Sequence, residues 1–343
     1  TRYTSGTGGI PMKLMVDQAE FIIAALTYRF RHPAFNEVSL TDLFHRKFYI
    51  TLGLPGERHA FMPDFTHHIF HPLTHLDLAD SSLRHRIYEK IEEAGPAMLA
   101  GYASLVLKFA QRVAKDKVDL PLLVVRMSSE GSSLADRVLV KEALKAPIIN
   151  AISTNEARLI GFECPENMGK FHLNSERVIL EVVDEKGVAA PDGQEGDFVV
   201  TVLDHTATPI IRYAINDTGR IVPGSCPCGR TLPLFEFYGR RESQVKLPSG
   251  RTVKVLYLHD TLREADGLWA KAIQLQVRQE SLDRLRLLII PKGPFSEKEE
   301  TNIRMSLTRL CFGEEIKIDI DYVENIPPAP GGKPQFFVPL KEG

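Results

Sequence analysis

A chain of 343 residues with net charge −2, 43% hydrophobic and 25% charged residues can bury a full core and suggests about two domains. Its charge, without any basic block, argues against a large nucleic-acid surface. No apolar run approaches the roughly 18 residues that cross a bilayer. Four cysteines exclude a disulfide scaffold, and with no visible signal peptide the cytoplasm is the expected compartment.

The chain opens on Thr1-Arg2-Tyr3-Thr4-Ser5-Gly6-Thr7-Gly8-Gly9-Ile10-Pro11. Glycines turn successive N–H groups into an anion-binding concavity, and hydroxyls add donors. A flexible glycine-rich terminus is the alternative. No strand is expected ahead of this loop, so either the protein is short or an N-terminal segment lies outside the sequence. Leu14, Met15, Ala19, Ile22, Ile23, Leu26 and Phe30 predict a helix over 12–31, its positive end toward the loop.

Residues 32–80 hold His32, His45, His59, His67, His68, His71 and His75. His67, His71 and His75 would share a helical face, as in a metal-dependent hydrolase. Pro72 opposes a continuous helix there, and no acidic residue takes a zincin-like place. Pocket lining or surface is the other reading.

From residue 83 the pattern alternates: helix 84–94, strand 98–102, helix 105–115 capped by Ser104, strand 122–127, helix 134–144 and strand 148–152. Such alternation predicts a parallel sheet covered by helices. After about residue 160, strand-like runs at 178–183, 198–203 and 210–213 between Gly, Asp and Pro turns predict an antiparallel β-rich subdomain. Past Gly239-Arg240-Arg241-Glu242-Ser243 come a hairpin over 246–254 around Pro248-Ser249-Gly250, a helix over 256–265 and strands 273–278 and 284–290. A helix over 297–310 and a strand over 316–323 complete a small unit. The expected class is α/β: a large domain over 1–240, a helix-covered mostly parallel sheet plus a β-rich subdomain, and a small mobile α+β domain over 241–343.

Five separated features carry chemistry. They are the opening loop, Ser153-Thr154-Asn155-Glu156, Arg212-Tyr213-Ala214-Ile215-Asn216-Asp217, Gly239-Arg240-Arg241-Glu242 and Gly331-Gly332-Lys333. Singly, Asp217-Thr218-Gly219 reads as a turn and Gly331-Gly332-Lys333 as a tail. The tight turn Cys226-Pro227-Cys228-Gly229 can wrap a metal, and Cys164 with His172 supplies two more ligands. Four such ligands would close a tetrahedral structural Zn²⁺ site; reduced, partly buried cysteines are the alternative. Cys311, on an apolar helix end, reads as core.

In this order the features resemble the adenylate-forming superfamily of acyl-CoA synthetases, aryl-CoA ligases and adenylation domains. Cys226–Thr231, with Glu163-Cys164 and His172, resembles its phenylacetate-CoA ligase branch, whose short relatives include antibiotic-pathway members such as those of phenazine biosynthesis. The resemblance implies two half-reactions: a carboxylate attacks the α-phosphate of ATP, and a thiol such as coenzyme A then displaces AMP. It implies that Ser5, Gly6, Thr7, Gly8 and Gly9 hold the β- and γ-phosphates and that Ser153 and Asn155 line the nucleotide. Glu156 would reach Mg²⁺, Asp217 would accept both ribose hydroxyls, and Arg240 would add a cationic contact. Lys333 would stabilise charge on the α-phosphate, and Glu242 would mark the hinge.

Phe61, Phe65, Phe70 and Tyr102 would wall the acid pocket, between the loop helix and Ala100-Gly101-Tyr102-Ala103 together with 128–133. An aromatic carboxylic acid suits that wall. A homodimer is one option for assembly; nucleic acid and membrane are not expected partners. Departures from the family pattern are Gly8 and Ile10 in the loop, Ile152 in place of the adenine-stacking tyrosine, Ser153, Asn155 and Asn216. They motivate the alternative of a homologue with a degenerate nucleotide site that binds an aromatic ligand or partner without full catalysis.

Overall fold

The structure, a computed structural model, describes residues 2–3, 13–15, 17, 49–53, 68–72, 77–128, 131–241, 243–265, 267–327 and 335–340. Arg2–Tyr3 (β1) pairs antiparallel with Lys13–Leu14 (β2). The expected helix over 12–31 therefore does not begin at residue 12. Lys13 is exposed and Leu14 buried, the alternation of a strand. Residues 4–12, which carry the glycines of the opening stretch, lie outside the described residues.

The helix-covered half follows the α/β alternation. It comprises Tyr49–Gly53 (β3), His68–Pro72 (β4), Ser81–Ala94 (α1), Ala97–Tyr102 (β5), Ala103–Asp116 (α2), Leu122–Ser128 (β6), Leu134–Leu144 (α3) and Ile148–Thr154 (β7). β4, β3, β5, β6 and β7 are parallel neighbours. α2 buries Leu105, Val106, Phe109 and Val113 and ends at Lys117, which turns left-handed at φ 55°. Ser104 lies inside this helix and does not cap it; Tyr102 is the N-cap residue. α3 starts on a capping box, with Ser133 Oγ accepting from Asp136 N–H at 3.1 Å and Asp136 accepting from Ser133 N–H at 3.0 Å. Such a cap is worth about 1 kcal/mol. Gly101 is required where it stands, since a Cβ would meet the Leu52 carbonyl oxygen at 2.7 Å.

The same sheet continues antiparallel through Arg158–Cys164 (β8), Asn167–Leu173 (β9), Val178–Val183 (β10), Gly196–Val202 (β11), Tyr213–Val222 (β12) and Leu234–Arg240 (β13). Its order is β10-β11-β12-β13-β9-β8-β7-β6-β5-β3-β4, eleven strands among the described residues. The strand expected over 210–213 begins only at Tyr213, because Arg212 adopts φ 45° and breaks the extended run. His68–Pro72 is a strand, so His71 is not on a helical face. His32, His45, His59, His67 and His75 lie outside the described residues.

The C-terminal unit opens with the hairpin Gln244–Lys246 (β14) and Thr252–Lys254 (β15), then Val255–Glu264 (α4) and Leu268–Lys271 (α5). Ala272–Ser281 (β16), Arg284–Pro291 (β17), Glu297–Leu310 (α6), Lys317–Tyr322 (β18) and Phe337–Val338 (β19) complete it, in sheet order β18-β17-β16-β19. Leu258 and Leu262 of α4 and Ile303 and Leu307 of α6 share its core with Val277, Leu285, Leu287 and Ile289. Trp269 packs against both this core and the one around α2. Asp136, at the start of α3, meets Arg263 and lies 3.3 Å from His259 Nδ1, both on α4. Among the described residues no helix is long and apolar enough to cross a membrane.

Candidate functional site

β8 begins beside the turn that holds Glu156 and ends at Cys164. β12 carries Asp217 midway along its length, and the loop after it carries Cys226 and Cys228. At about 3.3 Å per strand residue, the two ends of these hairpins are on the order of 20 Å apart.

At the first end Asp217 stands opposite Arg240 of β13 in register. The Asp217 side chain is 7% exposed, and Arg240 Nε lies 3.3 Å from its Oδ1. Burial pushes the Asp217 carboxyl up to about 6; Arg240 pulls it down and Glu156 pushes it further up. Desolvation therefore outweighs the ion pair. Burial also raises the Tyr213 phenol, with Glu156 adding to the rise and Arg240 opposing it. Glu156, Tyr213, Asp217 and Arg240 thus share one electrostatic neighbourhood.

Local backbone chemistry makes this corner. Asn216 takes φ 60°, a left-handed conformation that glycine adopts freely and asparagine tolerates better than most residues. Its carbonyl accepts the Arg241 N–H at 2.9 Å, tying β12 to the residue just past the end of β13. The register then shifts between Thr218 and Gly219, where a Cβ would meet the Glu236 carbonyl at 2.0 Å. Only glycine lets the strands approach so closely.

Glu156 is half-buried in the turn between β7 and β8; Ser153 and Asn155 on the same hairpin are exposed. Arg212 turns away, its Nε 3.2 Å from Glu181. Ser5, Gly6, Thr7, Gly8, Gly9, Glu242, Gly331, Gly332 and Lys333 lie outside the described residues. Phe61 and Phe65 do as well, whereas Tyr102 is buried at the end of β5. The sequence singles out the Arg212–Asp217 run but assigns Tyr213 no role there; its charged neighbours Glu156 and Arg240 are brought by the fold.

At the other end the ligand atoms of Cys164, His172, Cys226 and Cys228 all lie within 4.8 Å of one another. Cys226 Sγ is 3.5 Å from Cys164 Sγ, and Cys228 Sγ is 3.3 Å from His172 Nε2. The cysteines are free thiols. A tetrahedral Zn²⁺ with bonds of about 2.0–2.3 Å sets its ligand atoms roughly 3.5–3.8 Å apart, so the set fits that ion. Gly229, at φ 77°, donates its N–H to the Cys226 carbonyl at 3.1 Å and closes the C-P-C turn. Burial pushes the Cys164 thiol up to about 12, opposed by a hydrogen bond from the Glu166 backbone. Burial also lowers the His172 imidazole, while the Leu232 backbone pulls it up.

Beside the cluster Glu163 forms a buried pair with Arg137 of α3 at 2.6 Å. It also accepts from Asn150 at 3.1 Å and from Gly169 N–H at 2.7 Å. The sequence signal for this anchor is an acid set inside the apolar run of β8. Cys311 is buried at the end of α6, its thiol pushed up to about 11 by burial.

The family described as the CapK C-terminal domain matches residues 248–339. Over 258 residues the chain is 21% identical to the protein CapK of Staphylococcus aureus, covering 73% of this chain and 54% of that protein. Over 275 residues it is 25% identical to a phenylacetate-coenzyme A ligase of Thermus thermophilus, covering 74% of this chain and 60% of the ligase. The chain thus spans a little over half the length of these curated relatives. Among solved structures it superposes on a 2-hydroxyisobutyryl-CoA ligase in the postadenylation state in complex with R3-HIB-AMP, with a TM-score of 0.72 and 16% identity. That superposition covers 99% of this chain and 73% of the other. The chain has the fold of the adenylate-forming ligases, and its sequence is similar to that of the phenylacetate-CoA ligase-like branch.

Proposed function

We propose that the chain activates a carboxylic acid with ATP as an acyl-adenylate and passes the acyl group to coenzyme A or another acceptor. The observation that carries this reading is the pairing of buried Asp217 with Arg240, within electrostatic reach of Glu156, at one corner of the adenylate-forming fold. Asp217 would accept the ribose hydroxyls, a carboxylate being able to take two donors. Arg240, 41% exposed and held beside it, would turn its free edge to the nucleotide. Glu156 offers a hard oxygen ligand for Mg²⁺, which neutralises phosphate charge when bound.

Ser5, Gly6, Thr7, Gly8 and Gly9 would hold the phosphates, Ser153 and Asn155 would border the nucleotide, and Lys333 would reach the α-phosphate. These roles rest on the resemblance, as does the division into a large unit over 1–240 and a small mobile unit over 241–343. An aromatic acid is supported by the similarity to phenylacetate-CoA ligase and by buried Tyr102. A place in an antibiotic pathway rests on resemblance alone, and a homodimer belongs to the same reading. The cytoplasm, where ATP and coenzyme A are available, is the setting that goes with it. Cys164, His172, Cys226 and Cys228 would hold a structural Zn²⁺ with no open coordination position, so the ion would serve folding rather than chemistry.

ATP–pyrophosphate exchange with a panel of aryl acids tests the activity. Exchange above the Lys333→Ala background is expected for at least one acid, and background rates with every acid overturn the enzyme reading. Calorimetric titration with ATP then separates a degenerate nucleotide binder from a chain with no nucleotide site.

A further inference from the structure

The seam between α2 and the C-terminal unit gathers positive charge that the nucleotide corner does not use. Lys108, Arg112 and Asp116 follow one another on one face of α2 at four-residue spacing. Asp116 is already engaged: Arg84 Nε reaches it at 3.0 Å and the Tyr88 hydroxyl donates to it at 3.1 Å. Lys108 is 4% exposed and donates from Nζ to the Ala272 carbonyl at 2.6 Å, across the seam. Lys292, from the turn after β17, is exposed at the rim. Burial pushes Lys108 down to about 7, with Lys292 and Arg112 adding repulsion. Lys292 itself is pushed down to about 8 by burial and by Arg112, Lys115 and Arg84.

Arg112 stands in the middle of this group. It is 7% exposed, and its Nε and Nη2 find no hydrogen-bond partner among the described residues. A buried donor without an acceptor carries its full desolvation penalty. Those two nitrogens form the edge of the guanidinium that grips an oxyanion through two parallel bonds. Among the described residues, the carboxylate that acts on Arg112 is Asp116, and it is already engaged by Arg84 and Tyr88.

We propose that this seam binds a phosphate group, as a free anion or a monoester, gripped by the Nε–Nη2 edge of Arg112 and flanked by Lys292 and Lys108. A doubly charged oxyanion suits the excess of cations better than a single carboxylate. Because Arg112 belongs to α2 and Lys292 to the C-terminal unit, the bound anion would tie the two together. The site shares no residue with the Asp217 corner and does not depend on the proposed ligase activity.

The test is thermal melting of the full chain in phosphate against chloride at matched ionic strength, with acetate as the carboxylate probe. Phosphate at ten times its Kd is expected to raise the melting temperature by roughly 2–4 °C, and acetate by much less. Arg112→Gln should lose that increment and Lys292→Gln should lose part of it, each judged against its own chloride baseline. Should Arg112→Gln fail to fold, Arg112→Lys keeps a charge without the fork and should retain less than half the increment. Glycerol 1-phosphate distinguishes the source: an equal increment supports a phosphomonoester ligand, and a response to inorganic phosphate alone supports a free anion. No increment in the wild type, an equal one with acetate, or an unchanged one in the Arg112 variants overturns the proposal.

Discussion

The two ends of the β8–β9 and β12–β13 hairpins are built on opposite chemical principles. At the Asp217 end, charged groups are crowded, with Arg240 partly open and Asp217 driven toward its neutral form by burial. At the Cys226 end, four ligating atoms face inward in a closed set. The pairing between β9 and β13 explains why both are needed. It comprises Leu234↔His172 and Phe235↔Phe171, both beside the thiol cluster. The β12–β13 hairpin is thus anchored to β9 at its thiol end, while its other end presents Asp217 and Arg240. An anchor should show itself in stability and a binding corner in activity, so damage at the two ends should move different observables.

Removing the anchor should have the largest effect. Zinc contributes about 10–16 kcal/mol to the folding of small peptides, and a fraction of that would lower the melting temperature here by on the order of 10 °C. Cys226→Ser with Cys228→Ser should show this drop, together with loss of near-stoichiometric zinc by elemental analysis. Zinc retained by the double variant would remove the anchor from the comparison. Next comes the buried pair beside the cluster. Arg137→Met leaves Glu163 charged and 7% exposed, a situation that costs about 3–5 kcal/mol. Denaturant melts should report it with the zinc content unchanged, which would divide the stability of that end between metal and ion pair.

At the other end, Asp217→Ala should lower ATP-dependent exchange about 10²- to 10³-fold, since two hydrogen bonds to a charged group are worth ~3–4 kcal/mol together. Its melting temperature should not fall as the cysteine variant's does. A matching fall would erase the contrast between the ends. The pH dependence sharpens the same point. Asp217 has a folded pKa of about 6, above the unfolded value of about 3.9. Stability carried by a raised carboxyl is fully present below the unfolded value and is lost as pH rises through the folded one. Asp217→Asn should therefore be more stable than the wild type by about 2–3 kcal/mol at pH 7, with the difference fading toward pH 4. A pH-independent offset would mean that burial does not raise this carboxyl.

Some of this architecture is legible in the sequence. The helices over 134–144 and 297–310 stand where the sequence pattern puts them, and the structure adds the capping boxes Ser133/Asp136 and Ser296/Glu299. The β14–β15 hairpin follows from Pro248-Ser249-Gly250. Strands β8, β9 and β13 are harder to read, because Glu163, Lys170 and Glu236 interrupt their apolar runs with ion pairs that only the fold assembles. β2 is too short to set a period. The C-x-C turn announced itself, whereas the Arg212–Asp217 run gave Tyr213 no role. The approach of Asp217 to Arg240 depends on register between residues far apart in sequence and on a left-handed Asn216, neither of which a periodic pattern encodes.

The smallest effect concerns Ile152, at the position where the family resemblance implies an adenine-stacking tyrosine. It is half-buried on β7 and packs against the core of the β-rich half. An aromatic stacked on a base is worth ~1–3 kcal/mol, so Ile152→Tyr should tighten ATP binding by about tenfold in calorimetry. The gain requires the new ring to lie on the nucleotide. If it instead turns into the core, overpacking should lower the melting temperature by a few degrees and leave the ATP affinity as it was. Tighter binding at unchanged melting temperature would identify the Asp217 end as a nucleotide corner with one weakened contact. A colder melt at unchanged affinity would make Ile152 part of the scaffold that the thiol end anchors.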